Sequence, residues 1–503
     1  MRRAISLYHK NLSSDTFLAL REQLDWISKH ANPFRWASAC AGTDLVHLVL
    51  RDLSFVWKEL FDLDIERYHA WSVEKGEMQQ RFIKQHWPPK RLFADCHDLQ
   101  HEKAHDTITK QKQAVEKVHL IIAGTECDSI SGLNINQGAL RGCVRTGEDK
   151  TGTTLHAMLR YLQAHRPMLA VFENVKGICK KENMEFIRAY VAQFGYAMHC
   201  DVIKANQHGA VQVRDRAYII MTYINDRPAS GPHVNKGFDK VPAMMRSMKI
   251  DKFPLSDFLD PSPDDSSRFV EFMDGLAQNA THKPPPKKDK QDAEYLVQHW
   301  EAYQQAGLSW PPNLAEMGPE LNNNVLHLPV RMQQLVYYFI MDKSYSKEAG
   351  EEHFCDINYS MKWYNTTTNE LPCIVCSSKI FSWKRKRELW GGELLAVQGI
   401  DHSEQRISGG KSEKDFSSKD LTTLAGNAFS AFAVSPALIC AIASSNFEDA
   451  IWTIPVPTSG DSASEDGGVA DSDEAQDALD GQAIFSADEA LDGLGPDDSE
   501  CDV

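Results

Sequence analysis

The sequence predicts an α/β protein built on a doubly wound, mostly parallel sheet, with a second, irregular domain and a disordered acidic tail. Three observations predict it. Between residues 35 and 225, short apolar runs rich in β-branched and aromatic residues alternate with amphipathic helical runs. Such an alternation makes parallel strands whose two faces are both covered by helices. From about Asp226 the texture changes, prolines become frequent and no period persists. Finally, residues 458–503 hold 15 Asp/Glu and no Lys/Arg, which leaves 55 of the 70 acidic residues to face all 54 basic ones. The net charge of -16 therefore belongs to the tail, which is also rich in Ser, Gly and Ala.

The elements follow in order. Residues 1–34 read as a helical lead-in, with apolar residues at helical spacing in TFLALREQLDWI. RWASACA is the first strand, followed by an amphipathic stretch from Asp44 to Phe61. YHAWSVE, KRLFADC, VHLIIAG and MLAVFENV are further strands, with helices such as LHAMLRYLQAH between them; YAMHCDVI and RAYIIMTYI close the series. Residues 226–383 form the irregular second domain, with a linker near 276–293 that contains PPPKKDK. LAGNAFSAFAVSPALICAIASS then reads as a turn opening a helix that returns to the first domain, so that 384–452 complete it and 453–503 form the tail.

Composition excludes several classes. At 503 residues, 42% hydrophobic and 25% charged, the chain resembles an ordinary soluble enzyme. A mean hydropathy of -0.42 excludes a multi-span membrane protein, and the most apolar stretch, 424–445, is Ala/Ser-rich and carries Pro436. MRRAISLYHKNLSSD has no apolar signal-peptide core, so the eleven cysteines are expected to be free thiols in a reducing compartment.

In doubly wound sheets, ligands bind at the carboxyl ends of the strands, and the unusual polar residues of this chain fall there. Gly42 ends the first strand, where a residue without a Cβ lets backbone approach a ligand. Glu74 ends the second, and a carboxylate there accepts hydrogen bonds from ribose hydroxyls. Asp95 ends the third, where it can accept from an exocyclic amine. Cys127 lies in the loop after the fourth strand, as a nucleophile or a buried filler. Glu173 and Asn174 follow the apolar run of the fifth. In QVRDR, the period of two puts Arg214 and Arg216 on one face, suited to a phosphate, a base edge or a salt-bridge ladder.

Taken together, Gly42, Glu74, Asp95, Cys127, Phe172-Glu173-Asn174-Val175, Gln212-x-Arg214-x-Arg216 and Gly426-Asn427-Ala428 resemble the motif series of the cytosine-5 DNA methyltransferases. Asn206 and Gly209 match the lead into the arginine pair, and ELLAVQGI at 393–400 is similar to the motif before the last one. The resemblance covers about residues 35–225 and 385–445. It implies a class I, Rossmann-like S-adenosylmethionine-dependent methyltransferase that extrudes a cytosine from duplex DNA. Catalysis would fall to Cys127 as nucleophile at ring carbon 6, Glu173 at ring nitrogen 3 and the exocyclic amine, and Arg216 on the base carbonyl. Arg214 would support the nucleophile loop or a phosphate. Cofactor contacts would come from Cys40, Ala41, Gly42, Thr43, Glu74, Asp95, Cys96, Asn427 and Ala428. The second domain would be a target-recognition region, and the compartment the nucleus. RNA cytosine is the rival substrate, and a non-catalytic regulatory subunit the rival from another class.

This chain departs from the pattern at two places. Asp44 and Leu45 stand where glycines are usual, and Glu126-Cys127-Asp128 replaces Pro-Cys-Gln. An anion at Glu126 is expected to raise the pKa of the neighbouring thiol. No metal is expected: Cys373 and Cys376 form a lone CxxC, for which Cys355 and His353 are the nearest candidate partners. The basic clusters Lys283, Lys287, Lys288, Lys290 and Lys384-Arg385-Lys386-Arg387 read as solvated charge or phosphate contacts.

Overall fold

A computed structural model describes residues 1–131, 142–224, 238–262, 267–279, 292–310, 324–325, 328–341, 350–359, 361, 366–402 and 416–447. The acidic tail, the lysines at 283–290 and most of the linker lie outside the described residues.

Strands β1 (Phe34–Ala39), β2 (Arg67–Val73), β3 (Arg91–Phe93), β4 (Lys103–Asp106), β5 (Gln111–Ala114), β6 (Leu120–Gly124), β7 (Leu169–Val175), β8 (Tyr196–Lys204) and β9 (Asp215–Tyr223) form one nine-stranded sheet. Its order is β5-β4-β3-β2-β1-β6-β7-β9-β8. The five central strands β3, β2, β1, β6 and β7 are mutually parallel. Antiparallel pairs extend both edges: β4 and β5 on one side, β9 and β8 on the other. The short, polar β4 and β5 (KAHD, QKQA) carry no apolar run and were not anticipated from the sequence; edge strands face water and need none.

Alternation along the strands builds two cores. Trp36, Leu120, Ile122, Leu169 and Val171 face one side, packed by helices α1 (Arg2–Asn11), α2 (Ser14–His30) and α3 (Val46–Phe61). Ala37, Ala39, Ile121, Ala123, Ala170 and Phe172 face the other. Helices α4 (Glu77–His86) and α5 (Cys143–Thr146) precede α6 (Asp149–His165) and α7 (Lys181–Ala192), which cover that second face. Ile5, Leu20, Leu24 and Ile27 are fully buried. Burying each such side chain contributes roughly 1.5–3 kcal/mol, so the N-terminal helices belong to the core of the sheet.

Beyond β9 come α8 (Val241–Ser247), α9 (Ser267–Asn279), α10 (Asp292–Gln305) and α11 (Val330–Met341). They are followed by a four-stranded antiparallel sheet, β10 (His353–Asp356), β11 (Thr366–Thr368), β12 (Ile380–Ser382) and β13 (Arg387–Glu388), in the order β11-β10-β12-β13. Leu335, Val336 and Phe339 of α11 meet Cys355 and Phe381 in a small core of their own. The chain ends its described course with α12 (Gly391–Gln398), α13 (Ser418–Asn427) and α14 (Ala431–Ala443). Ser417 and Asp420 cap α13 reciprocally. The most apolar 18 residues within Ser418–Ala443 are 89% buried inside the fold. Helix α14 packs on the face that α1–α3 cover, which explains its hydrophobicity without a membrane.

Of the KRKR run, the arginines turn inward. Arg387, 2% exposed, donates to both oxygens of Glu393 at 2.9 and 2.8 Å and to Asp260 at 2.6 Å. Arg385 pairs with Asp260 and Glu352. Two of the four charges read as solvated or phosphate-contacting are thus structural ties between the β13–α12 segment and the loop at Asp260.

Candidate active site

In the parallel register of β6 and β7, Gly124 stands beside Glu173. The loop that leaves β6, with Cys127 three residues on, therefore emerges next to that carboxylate. Asn174 fixes the loop: its Nδ2 donates to Thr125 Oγ1 at 2.8 Å and to the Thr125 carbonyl at 3.2 Å. Thr154 and Thr151 of α6 accept from the Glu126 and Ser129 backbone amides at 3.2 and 3.1 Å.

Glu173 is 8% exposed, and its Oε1 lies 3.1 Å from Arg216 Nε. The contact is ionic but not an aligned hydrogen bond, so the buried Oε1 accepts none. A buried carboxylate oxygen left without an aligned donor is costly unless a ligand supplies one. Arg216 Nη2 also points to Cys373 Sγ, at 3.9 Å. Tyr218, cross-strand from Glu173, has a buried hydroxyl that likewise lacks a partner.

Arg214 does not join this group. Its Nη1 donates to the Ile374 carbonyl at 3.1 Å and its Nη2 to the Ala428 carbonyl at 2.7 Å, and the residue is 4% exposed. The expectation of a phosphate contact is corrected: both terminal nitrogens are spent on backbone oxygens, so Arg214 acts as a brace. It ties the segment 371–376, which pairs with Val211–Val213, to the turn after α13. Gln212 Nε2 adds a bond to Gln398 Oε1 at 2.7 Å, and Gln398 donates to the Ala425 carbonyl at 3.0 Å. A Cβ on Gly426 would stand 2.2 Å from the Cys376 nitrogen, so glycine is required for that approach.

Burial pushes the Cys127 thiol up to about 11, aided by Glu173 and Asp128 and opposed by Arg216 and Arg214. The expected culprit, Glu126, is not among these groups. Its charge instead acts on Glu74 and Cys40, across the loop.

On the other flank, Gly42 N donates to Glu74 Oε1 at 2.5 Å, and Ala41 contributes a second backbone bond. Burial raises the Glu74 carboxyl to about 8 against those two bonds, with Asp44 and Glu126 adding to the rise. Gly42 has φ of +68°, and a Cβ there would lie 2.5 Å from the Asn427 carbonyl oxygen. The GNA turn and the first-strand loop are therefore in contact across almost the whole chain. Asn427 Oδ1 accepts from Cys376 Sγ at 2.9 Å, and Ala428 is fully buried. Thr43 is buried and its carbonyl accepts from Trp87 Nε1 at 2.9 Å. Asp44, in the glycine position, keeps a left-handed φ of 57° and turns its carboxylate beneath the loop, 2.6 Å from Ser72 Oγ. Asp is among the residues that tolerate that conformation.

Asp95 Oδ1 accepts from the backbone N of His97 at 2.9 Å and meets its Nδ1 at 2.6 Å. Burial opposes ionisation of Asp95, but these bonds hold its carboxyl below the usual range. Cys96, 6% exposed, begins the short 3-10 turn that Asp95 caps. Cys40, Glu74 and Asp95–Cys96 thus line the ends of β1, β2 and β3. Among the described residues, the one group of three potential metal ligands is Asp95, Cys96 and His97. Cys355 is buried in the small core and does not gather with Cys373, Cys376 and His353. The sequence reading gave Tyr218 no role at the site and weighed Cys373 only as a metal ligand; the segment around Cys373 has no periodicity, because its pairing partner lies 160 residues upstream.

The family model for C-5 cytosine-specific DNA methylases matches residues 64–445. Among curated relatives, a DNA (cytosine-5-)-methyltransferase of Cryptococcus neoformans, DMT5, is 26% identical over 188 residues, 37% of this chain and 8% of that one. The type II methyltransferase M.HgiCII of Herpetosiphon aurantiacus is 27% identical over 171 residues, 32% of this chain and 34% of that one. The matched stretches thus span less than a tenth of the fungal relative and about a third of the bacterial one. Among solved structures, the Dnmt2 methyltransferase of S. pombe aligns over 81% of this chain and 97% of its own, at 13% identity and a TM-score of 0.39.

Proposed function

We propose that this chain, which belongs to the family of C-5 cytosine-specific DNA methylases, transfers a methyl group to carbon 5 of cytosine in DNA through a covalent Cys127 adduct. The observation that carries the reading is the convergence of the Cys127 loop with Glu173 and Arg216 at one strand rim, with a buried Glu173 oxygen lacking an aligned donor.

Each residue then has a definable task. Cys127, once deprotonated, adds to ring carbon 6 of a base extruded from the helix. Glu173 accepts from the exocyclic amine through its orphan oxygen and delivers a proton to ring nitrogen 3, which makes carbon 5 nucleophilic. Arg216 holds Glu173 and donates to the base carbonyl. Asn174 and Arg214 position the loop and the turn around it and touch no reacting atom. Loss of the carbon-5 proton reverses the addition and frees Cys127.

The strand ends fit S-adenosylmethionine. The Glu74 carboxylate, raised to about 8, gains most from two hydroxyl donors such as those of a ribose. Gly42 leaves no Cβ between Cys40–Thr43 and Asn427–Ala428. When bound, S-adenosylmethionine supplies an electrophilic methyl on a sulfonium. Asp95 and Cys96 would flank its base. We assign residues 35–225 and 384–452 to the catalytic domain, 226–383 to target recognition, 1–34 to an N-terminal extension and 453–503 to the tail. A nuclear site rests on the proposed DNA substrate alone.

The test is transfer of a tritiated methyl group to duplex DNA and to tRNA side by side. Incorporation into DNA that requires cytosine supports the proposal. Incorporation into tRNA alone moves the substrate to RNA, and background counts on both leave the non-catalytic subunit reading.

A further inference from the structure

Two thiols meet just past the end of β7. That strand runs beyond Glu173 and Asn174 directly into a 3-10 turn, Lys176–Cys179. Cys179 ends the turn, and its Sγ lies 3.5 Å from Sγ of Cys200 on β8. Both residues are half-buried at the edge of the second core, so solvent reaches them. With Cys200 as donor, their hydrogen bond pulls the Cys179 thiol below its ordinary value, against burial and the nearby Asp201. The same bond, together with burial, raises Cys200. The pair is therefore unequal: one sulfur is the readier nucleophile, and the other stands within reach to resolve it. The turn also touches the nucleophile loop. A Cβ on Gly177 would stand 2.3 Å from the Ile130 carbonyl oxygen, and Ile130 N donates to the Cys127 carbonyl at 3.1 Å.

We propose that Cys179 and Cys200 form an oxidative modification site, a dithiol that reduces a hydroperoxide, closes to a disulfide and thereby slows methyl transfer. The Cys179 thiolate attacks one peroxide oxygen: the S–O bond forms, the O–O bond breaks, and the departing oxygen takes a proton from solvent and leaves as an alcohol, or as water from hydrogen peroxide. Cys200 then attacks the sulfur of that sulfenic acid. The S–S bond forms, the S–O bond breaks, and hydroxide leaves as water with the Cys200 proton. Two thiols lose two electrons, and the hydroperoxide gains them. Closure draws the sulfurs from 3.5 Å to about 2.05 Å, an approach of about 1.5 Å. Part of that movement falls on the turn and, through Gly177 against Ile130, on the Cys127 loop, where a misplacement of about 1 Å can cost about 10²-fold in rate. The modification site stands on the two thiols alone, whereas its effect on rate rests on the proposed function.

The experiment exposes the full reduced chain to graded hydrogen peroxide, blocks the remaining thiols with N-ethylmaleimide and maps unreduced tryptic peptides by mass spectrometry. The expected product joins peptide 177–180 to peptide 189–204 and is lighter than their sum by two hydrogens. It should vanish on dithiothreitol treatment and be absent from Cys179→Ser and Cys200→Ser. In Cys200→Ser, which lacks the resolving thiol, Cys179 should instead be captured as a sulfenic acid by dimedone. No linked peptide at doses that oxidise the exposed Cys376 overturns the site. Methyl transfer by the same samples should fall at least about tenfold as the linked peptide accumulates and return with dithiothreitol, while Cys179→Ser/Cys200→Ser keeps its rate at that dose. An equal loss in the double variant, or full rate in the linked protein, overturns the regulation. Background transfer by the reduced wild type overturns the methylation reading instead, while the peptide map remains readable.

Discussion

Arg216 Nε stands 3.1 Å from Glu173 Oε1, across the antiparallel pairing of β9 with β7. Both residues are largely buried, so each charge depends on the other. Removing one partner of such a pair leaves an uncompensated buried charge, which costs roughly 3–5 kcal/mol. The arginine also reaches Cys373 and influences Cys127, so the pair links the nucleophile to the segment at 371–376.

Glu173→Gln keeps the shape but removes the proton that the carboxyl delivers. Methyl transfer should fall by about 10²–10⁴-fold, the usual range for a positioned acid or base. Calorimetric binding of S-adenosylhomocysteine should stay within about twofold of wild type, because Glu173 lies on the base side of the pocket.

The pH dependence of Cys127 follows from its pKa of about 11. Below that value the thiolate fraction grows about tenfold per pH unit. Single-turnover methyl transfer should therefore keep rising with pH up to the limit of protein stability. Asp128→Asn removes one anion that disfavours the thiolate and should raise the rate at pH 7.5 by about two- to tenfold. Glu126→Gln should leave that profile in place and alter cofactor affinity instead, since its charge acts on Glu74.

Glu74 gives a second profile of known sign. Its carboxyl is held at about 8, and ribose hydroxyls hydrogen-bond best to the ionised form. Cofactor affinity should rise between pH 6.5 and 8.5 and level off above. Glu74→Gln should flatten the curve and weaken binding by about 1.5–3 kcal/mol, ten- to a hundredfold. The same linkage makes the apo protein lose stability from this residue as pH rises through 8, the folded state being the one that holds the proton.

Gly42→Ala meets the Asn427 carbonyl and a left-handed φ at once. The conformational part alone costs about 1–2 kcal/mol. A thermal melt should show a Tm lower by several degrees, with weaker S-adenosylhomocysteine binding, because the GNA turn must retreat from the first-strand loop.

Much of this arrangement was legible beforehand because it rests on local signals. The apolar runs marked β1, β2, β6 and β7, and the strand-end rule put Glu74, Cys127 and Glu173 on one rim. What escaped depends on contacts distant in sequence. Arg214 and Arg216 share a face by periodicity, yet Ile374 and Ala428 claim one while Glu173 and Cys373 claim the other. Likewise Glu126 is adjacent to Cys127 in sequence, but the charges that weigh most on the thiol are Glu173, Arg216 and Asp128, while Glu126 raises Glu74 and Cys40. Arg385 and Arg387 belong to a basic run, and the acidic partner they share, Asp260, lies more than 100 residues upstream.

The central claim is that Cys127 attacks a cytosine, and a covalent trap tests it most directly. Duplex DNA carrying 5-fluorocytosine cannot lose a proton from carbon 5, so the adduct persists once the methyl group has transferred. Incubation with S-adenosylmethionine, followed by denaturing electrophoresis and mass spectrometry, should yield a protein–DNA adduct on the peptide that contains Cys127, absent from Cys127→Ser. An adduct that survives Cys127→Ser, or none on any fluorocytosine DNA while the protein still binds cofactor, would contradict the account.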